Sequence, residues 1–192
     1  NGCIATIGSA EACAVMNRTS AKLGVKTKCH LKIDTGMGRY GFMPSEVSKA
    51  IDCYKAENLE FIGAYTHFSD AFDNTKLTKS QLVLFKDTIK QIENAGYNVG
   101  TLHCANSPAL LNVEDVCLDS VRLGSAFTGR VITRSKTKLN RVGLLEAEVI
   151  ETKTVPAGYS IGYMGNFKTT KETKIAIVPF GHYDGFGLTQ DK

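Results

Sequence analysis

His30-Leu31-Lys32-Ile33-Asp34-Thr35-Gly36-Met37-Gly38-Arg39-Tyr40-Gly41-Phe42 opens as an alternating run and closes as a glycine-rich loop. Alternation at period two reads as a strand with side chains thrown to opposite faces. Lys32, Asp34 and Arg39 cluster where that strand gives way to the loop. Catalytic groups on barrel scaffolds sit at such strand ends.

The flanking segments repeat the pattern. Cys3 to Ile7 reads as a strand. Ser9 to Leu23 reads as a helix capped by Ser9, with Glu11 in its first turn and Gly24 at its end. Pro44 suits the first turn of a helix running to about Glu57. Glu60 to Phe68 reads as a strand ending in Thr66-His67-Phe68-Ser69. Thr75 to Ala95 carries Leu77, Leu82, Leu84, Phe85, Ile89 and Ile92 mostly at helical spacing, and Gly96 stops it. Val99 to Ala105 and Leu118 to Leu123 read as strands that end in Asn106-Ser107-Pro108 and Gly124-Ser125. Strands alternating with helices predict a parallel sheet or barrel. A closed (β/α)8 barrel needs eight strands in about 200–250 residues, so the five strands here make an incomplete one. The pattern changes near Arg141: Leu144 to Thr154 alternates apolar and polar residues, Pro156-Ala157-Gly158 signals a turn, and Lys174 to Phe180 is a further strand. The expected division is a barrel portion at 1–140 and the start of an antiparallel β-domain at 141–192.

Composition narrows the classes. The 192 residues include 23 basic and 19 acidic side chains, a net charge of +4 spread along the chain. That is not the stripe of a nucleic-acid binder, and no apolar run approaches the ~20 residues of a membrane span. The six cysteines form no C-x-x-C pair, and no H-x-H or H-E-x-x-H spacing occurs, so no metal site is expected. Several cysteines lie in apolar runs, as reduced thiols of a cytoplasmic protein do.

Each candidate residue has a plainer alternative. Gly36-Met37-Gly38-Arg39-Tyr40-Gly41 matches G-x-G-x-x-G after a strand, but a dinucleotide fold needs a helix opening inside the motif, and here the helix opens at Pro44. The alternative is a loop whose glycines permit positive φ. For Lys32 and Asp34 the alternative is a buried ion pair. His67 and His103 sit near neighbouring strand ends with polar company; one alone would read as structural, two leave the structural and functional readings evenly open. Asn106-Ser107 and Gly124-Ser125 follow the last two barrel strands, where small residues exposing backbone N–H groups form a phosphate cup, or else ordinary turns. An inward-pointing Arg122 would be costly unless it met a ligand or partner.

Taken together these residues resemble the alanine racemase family of pyridoxal 5′-phosphate (PLP) enzymes, fold type III. H-L-K-I-D-T-G-M-G-R at His30–Arg39 is the most specific element. T-H-F at Thr66–Phe68, H-C-A-N-S at His103–Ser107, V-R-L-G at Val121–Gly124, G-Y-M-G at Gly162–Gly165 and G-H-Y-D-G at Gly181–Gly185 follow in the family's order. The resemblance implies racemisation of L-alanine to D-alanine for peptidoglycan. It implies that Tyr163 is the catalytic tyrosine on the L face, acting in the barrel of the other subunit of a homodimer, with His67 relaying to it. Arg122 would face the PLP ring nitrogen, and Arg39 would meet the PLP phenolic oxygen and the substrate carboxylate. Lys32 would be the lysine that is often carbamylated, and His67, Asn106, Ser107, Arg122, Gly124 and Ser125 would contact the cofactor.

No lysine of this chain carries the family's PLP-binding motif, which the resemblance implies lies upstream of Asn1. The chain is therefore expected to be a piece of a longer protein, inactive alone. Leu123 and Ser125 replace the usual Pro and Ile, Thr128 a usual Tyr, and His182 the tyrosine of the G-Y-x-D-G element. These departures leave open a serine racemase of the vancomycin-resistance type. Another fold-III PLP enzyme, such as a decarboxylase or D-amino-acid aldolase, is a further alternative. A non-catalytic PLP-binding protein would be a single barrel, and the β-tail from Arg141 argues against it.

Overall fold

The computed structural model describes residues 2–130 and 137–184. The chain falls into two compact units, Asn1–Val142 and Gly143–Lys192. The first is a run of parallel strands, β1 (Ala5–Ile7), β2 (Thr27–Lys32), β3 (Leu59–Tyr65), β4 (Thr101–Asn106) and β5 (Ser120–Arg122), hydrogen-bonded in chain order. Helices α1 (Ala10–Leu23), α2 (Val47–Cys53), α3 (Thr75–Asn94) and α4 (Ser107–Asn112) make the crossovers. Parallel strands require such crossovers, and neighbouring order in sequence and space is the barrel arrangement.

Alternation sorts the side chains of β2. Cys29, Leu31 and Ile33 are fully buried among Cys13 of α1, Ala50 and Cys53 of α2, and Phe85, Ile89 and Ile92 of α3. His30 and Lys32 take the opposite face. Helix α1 begins where Ser9 Oγ accepts the Ala12 N–H at 3.1 Å, the reason a Ser precedes it. Helix α3 buries Thr78, Gln81, Leu82, Phe85, Ile89 and Ile92, whereas Leu77 and Leu84 of its apolar set stay exposed.

The structure departs from the sequence expectations in three places. Helix α2 is preceded by a single 3-10 turn, Pro44–Glu46, and ends at Cys53 rather than near Glu57. Tyr54 stacks on Phe61 of β3 at 4.5 Å, and the N–H groups of Tyr54, Lys55 and Ala56 bond three residues back, tightening the chain into the next strand. Helix α4 was not anticipated; Asn106 caps it by accepting the Ala109 N–H at 3.0 Å, with Pro108 in its first turn. In the second unit, β6 (Glu151–Val155) pairs antiparallel with β9 (Thr173–Ile177), and β7 (Ser160–Ile161) with β8 (Phe167–Lys168). The alternating residues before Glu151 form no ladder, because alternation makes a strand only where a partner strand runs alongside. Gly185 of the last sequence motif lies outside the described residues.

One close approach ties the sheet to the chemistry above it. Gly63 of β3 lies opposite His30 of β2, and a Cβ there would come within 2.6 Å of both His30 Nε2 and the Thr101 carbonyl. Gly63→Ala should therefore destabilise the chain by about 1–3 kcal/mol through overpacking, read from urea unfolding. A change within about 0.5 kcal/mol, the range of an ordinary surface substitution, would contradict this packing.

Candidate active site

The glycine loop after β2 is wound on one carboxylate. Asp34 Oδ1 accepts the N–H groups of Gly36, Met37 and Gly38 at 2.9, 2.7 and 3.2 Å, and Oδ2 accepts that of Arg39 at 3.0 Å. Burial pulls the Asp34 pKa up, but the four N–H groups together hold it below the usual carboxylate value. The loop is closed at its base, where Phe42 N–H donates to Lys32 O at 2.9 Å and Asp34 N–H to Phe42 O at 2.8 Å. Asp34 is thus a loop scaffold and not the ion-pair partner of Lys32. No helix opens inside the glycine motif, which removes the dinucleotide reading.

Lys32 is 1% exposed. Its Nζ donates to the Ile33 carbonyl at 2.8 Å and lies 5.6 and 5.5 Å from the ring centroids of Tyr40 and Tyr65. Burial pushes its pKa down to about 8; Asp34 opposes the shift, and Arg122 and Arg39 add to it.

Arg122, at the end of β5, gathers groups from β3 and β4. Its Nη1 donates to His103 Nδ1 at 2.7 Å, and its Nη2 reaches Thr66 O at 2.7 Å, Cys104 O at 3.2 Å and His67 Nδ1 at 3.3 Å. Guanidinium has no acceptor, so both imidazoles present bare Nδ1 atoms and carry their protons on Nε2. His103 Nε2–H then donates to His30 Nδ1 at 2.8 Å. Burial first, then the Arg122 charge and His30, lower the His103 pKa to about 4. Burial also lowers that of His67, with Arg122, Arg39 and Lys32 contributing. The Tyr65 ring completes the floor. It stacks on His103 at 4.8 Å with the Arg122 guanidinium 5.0 Å from its centroid, and its hydroxyl pairs with Thr6 and Tyr40, each at 3.1 Å.

These groups bound a cavity of about 330 Å³, lined among others by Thr6, Arg39, Tyr65, His67, His103 and Arg122. Among the described residues, salt bridges join only Glu46 to Lys49 and Asp52 to Lys55. Among the described residues, none of Lys32, Arg39 and Arg122 forms a salt bridge. Beside the cavity, Ser107 Oγ accepts the N–H groups of Gly124 and Ala126 at 3.0 and 3.2 Å. That contact brings Asn106, Ser107, Gly124 and Ser125 together and leaves the Ser107 O–H to donate elsewhere.

Tyr163 belongs to the second unit, in a single 3-10 turn, Tyr163–Gly165, and is fully exposed. The sequence points to no site role for His30 or Tyr65; it singles out Asp34 only through the strand-end cluster with Lys32 and Arg39, and His103 only through its place at a strand end beside that of His67. The signal for His30 was its period-two spacing from Lys32. Nothing in the sequence showed that Asp34 would take four backbone N–H groups.

Parallel strands in barrel order with a cationic pocket at their C-terminal ends, followed by a small β-unit, define the class: part of a (β/α) barrel joined to a β-domain. Residues 1–131 match the family described as alanine racemase, N-terminal domain, and residues 142–191 that described as alanine racemase, C-terminal domain. The chain is 40% identical over 178 residues to an alanine racemase of Treponema denticola, covering 88% of this chain and 47% of that protein. It is 37% identical over 162 residues to one of Carboxydothermus hydrogenoformans, covering 82% and 44%. Among solved structures, the alanine racemase of D-cycloserine-producing Streptomyces lavendulae superposes with a TM-score of 0.84 at 28% identity, covering 94% of this chain and 50% of that one. The alanine racemase of Bartonella henselae, described with covalently bound pyridoxal phosphate, does so with a TM-score of 0.77 at 25% identity, covering 97% and 51%. The chain belongs to the alanine racemase family. It spans about half the length of the relatives it matches.

The depressed His103 pKa sets a pH dependence. The group titrates near 6.5 when unfolded and near 4 when folded, so between these values the unfolded chain binds more protons. Stability from this group is therefore present above about pH 6.5 and lost as pH falls toward 4. In urea unfolding across that window, His103→Gln should show a shallower fall than the parent chain. Parallel curves would mean that burial and the Arg122 charge do not hold the His103 imidazole neutral.

Proposed function

We propose that the whole protein containing this chain racemises alanine with PLP as its cofactor, in the cytoplasm, supplying D-alanine for peptidoglycan. The observation that carries this reading is the convergence of Arg39 and Arg122 on one cavity, with Lys32 buried against the Tyr40 and Tyr65 rings that also line it, and with no salt bridge to any of the three among the described residues. Such a site asks for an anionic ligand, and a phosphorylated cofactor plus an amino-acid carboxylate supplies that charge. The residues present fit the cofactor. Asn106, Ser107, Gly124 and Ser125 would hold its phosphate, and Arg122 and His67 would flank its ring. PLP, when bound, withdraws electrons from the amino acid and acidifies its Cα–H bond.

The chain's own residues then have distinct tasks. Arg122, permanently protonated, would face the cofactor's ring nitrogen as a donor and so favour its unprotonated form. Arg39 would hold the substrate carboxylate and the cofactor's phenolic oxygen. Lys32, with a pKa near 8, has an appreciable free-amine fraction near neutrality, and its Nζ adds to carbon dioxide with loss of a proton to give a carbamate that steadies Arg39. Tyr163 of one subunit removes or returns the Cα proton on the L face in the barrel of its partner. His67, its Nδ1 bonded to Arg122, offers Nε2–H to the tyrosine oxygen. The opposite face needs a second base, which we assign to the cofactor-binding lysine. The four buried thiols, Cys13, Cys29, Cys53 and Cys104, suit a reducing compartment. Among the described residues no helix is long and apolar enough to cross a membrane.

The test uses the full-length protein, with PLP absorbance and loss of optical rotation from L-alanine and L-serine. Tyr163→Phe should lower turnover by about 10²–10⁴, the usual worth of a positioned acid–base group. Arg39→Lys should raise KM by about 10–100-fold, the loss of a charged, bidentate-capable contact. Full activity in Tyr163→Phe would remove the tyrosine from the mechanism, and faster turnover of serine than alanine would make the enzyme a serine racemase.

A further inference from the structure

Gln81 lies on the buried face of α3, beside Leu82 and Phe85, and is 2% exposed. An apolar side chain would serve packing there, and a buried amide costs free energy unless it is hydrogen-bonded. Its carboxamide is bonded at both ends, to two different loops. Nε2 donates to the Thr35 carbonyl at 3.2 Å, while Oε1 accepts the Ser69 N–H at 3.1 Å and the Ser69 hydroxyl at 3.3 Å. Thr35 begins the loop that carries Arg39, and Ser69 stands two residues after His67. The same two loops are tied again by the Thr35 and Thr66 hydroxyls at 2.7 Å, both buried. Gly36 makes room for the amide: its φ is +128°, and a Cβ there would come within 2.8 Å of Gln81 Nε2. On the next turn back, Thr78 Oγ1 donates to the Asp70 carbonyl at 3.1 Å, fixing the end of the second loop to α3.

We infer that Gln81 is a positioning residue whose buried carboxamide clamps the Arg39 loop to the His67 loop. It thereby sets where a substrate carboxylate is held relative to the proton relay. The inference rests on the racemase reading for its catalytic meaning, but the clamp itself is a property of the loops. Only a side chain with a donor and an acceptor at its tip bridges Thr35 O and Ser69 N–H. Arg122 and the Ser107–Gly124 contact reach the cavity from β5 and from α4 after β4, so cofactor affinity should change less than substrate KM when residue 81 is altered.

Two variants of the full-length protein test this, Gln81→Met and Gln81→Glu. In Gln81→Met, amide hydrogen exchange at Gly36, Met37, Gly38, Arg39 and Ser69 should quicken by about tenfold, the scale of one lost hydrogen bond. KM for alanine should rise by a similar factor while PLP affinity falls by less than that. Gln81→Glu keeps the donor only while its carboxyl is protonated. Relative to the parent measured at the same pH, its exchange and KM should match at low pH and depart progressively as pH rises. Parent-like exchange and KM in a folded Gln81→Met would overturn the clamp. So would activity lost only in proportion to folded fraction, with KM unchanged. If Gln81→Met does not fold, the pH dependence of exchange in Gln81→Glu decides. If the parent racemises nothing, the proposed function fails and exchange alone judges the clamp.

Discussion

A guanidinium can only donate, and Arg122 spends that property on four acceptors from two strands and their loops. Two are backbone carbonyls, Thr66 O and Cys104 O, and their positions are fixed by the sheet. The other two are imidazole nitrogens, whose protonation the arginine thereby dictates. His67 and His103 are held neutral with Nε2 protonated, and His30 follows through His103. The arrangement depends on strand register. Tyr65 lies opposite His103, and the β4–β5 pairing shifts between His103 and Asn106 so that Arg122 meets Asn106. An irregularity of that kind re-aims a side chain next to a site. A slip of one residue would turn Arg122 to the other face of the sheet.

The same arrangement carries an energetic cost. Arg39 and Arg122 line one cavity, Lys32 is buried against the Tyr40 and Tyr65 rings that also line it, and a buried charge without a partner costs several kcal/mol. The fold relieves part of this with neutral groups: the Ile33, Thr66 and Cys104 carbonyls, and the π faces of Tyr40 and Tyr65. The depressed pKa of Lys32 shows that relief is incomplete, since burial still favours the neutral amine. A fold left in this condition is stabilised by any anion that binds it and not its unfolded chain. Stability and ligand binding are therefore coupled through these three cations.

Much of this was legible in the sequence because the signals were local. Ser9 and Gly24 bracket α1, Gly96 stops α3, and each strand end announced itself by a switch from apolar residues to small or polar ones. The positions of Lys32, His67 and Arg122 followed, since a strand end fixes which side chains reach the barrel mouth. What stayed hidden was set by contacts distant in sequence. The end of α2 is decided by Tyr54 meeting Phe61, the role of Gln81 by loops 46 and 12 residues away, and that of His103 by Arg122. The residues before Glu151 show the converse, an alternating pattern without a partner strand to use it.

The two units present their chemistry by a common device. In the first, Asp34 organises four backbone N–H groups so that Arg39 projects from a loop with little freedom of its own. In the second, Tyr163 projects from a turn flanked by Gly162 at φ +77° and Met164 at φ +61°. Left-handed backbone at a non-glycine residue costs free energy and persists only where surrounding structure holds it. The holding contacts lie nearby: Thr169 is buried, its hydroxyl donates to the Pro156 carbonyl, and it accepts the Tyr159 N–H, closing the hairpin that bears the turn. A fully exposed tyrosine and a fully exposed methionine on a strained turn contribute nothing to the stability of their own unit. Their exposure is understandable if the turn is kept in that shape for a surface outside the unit.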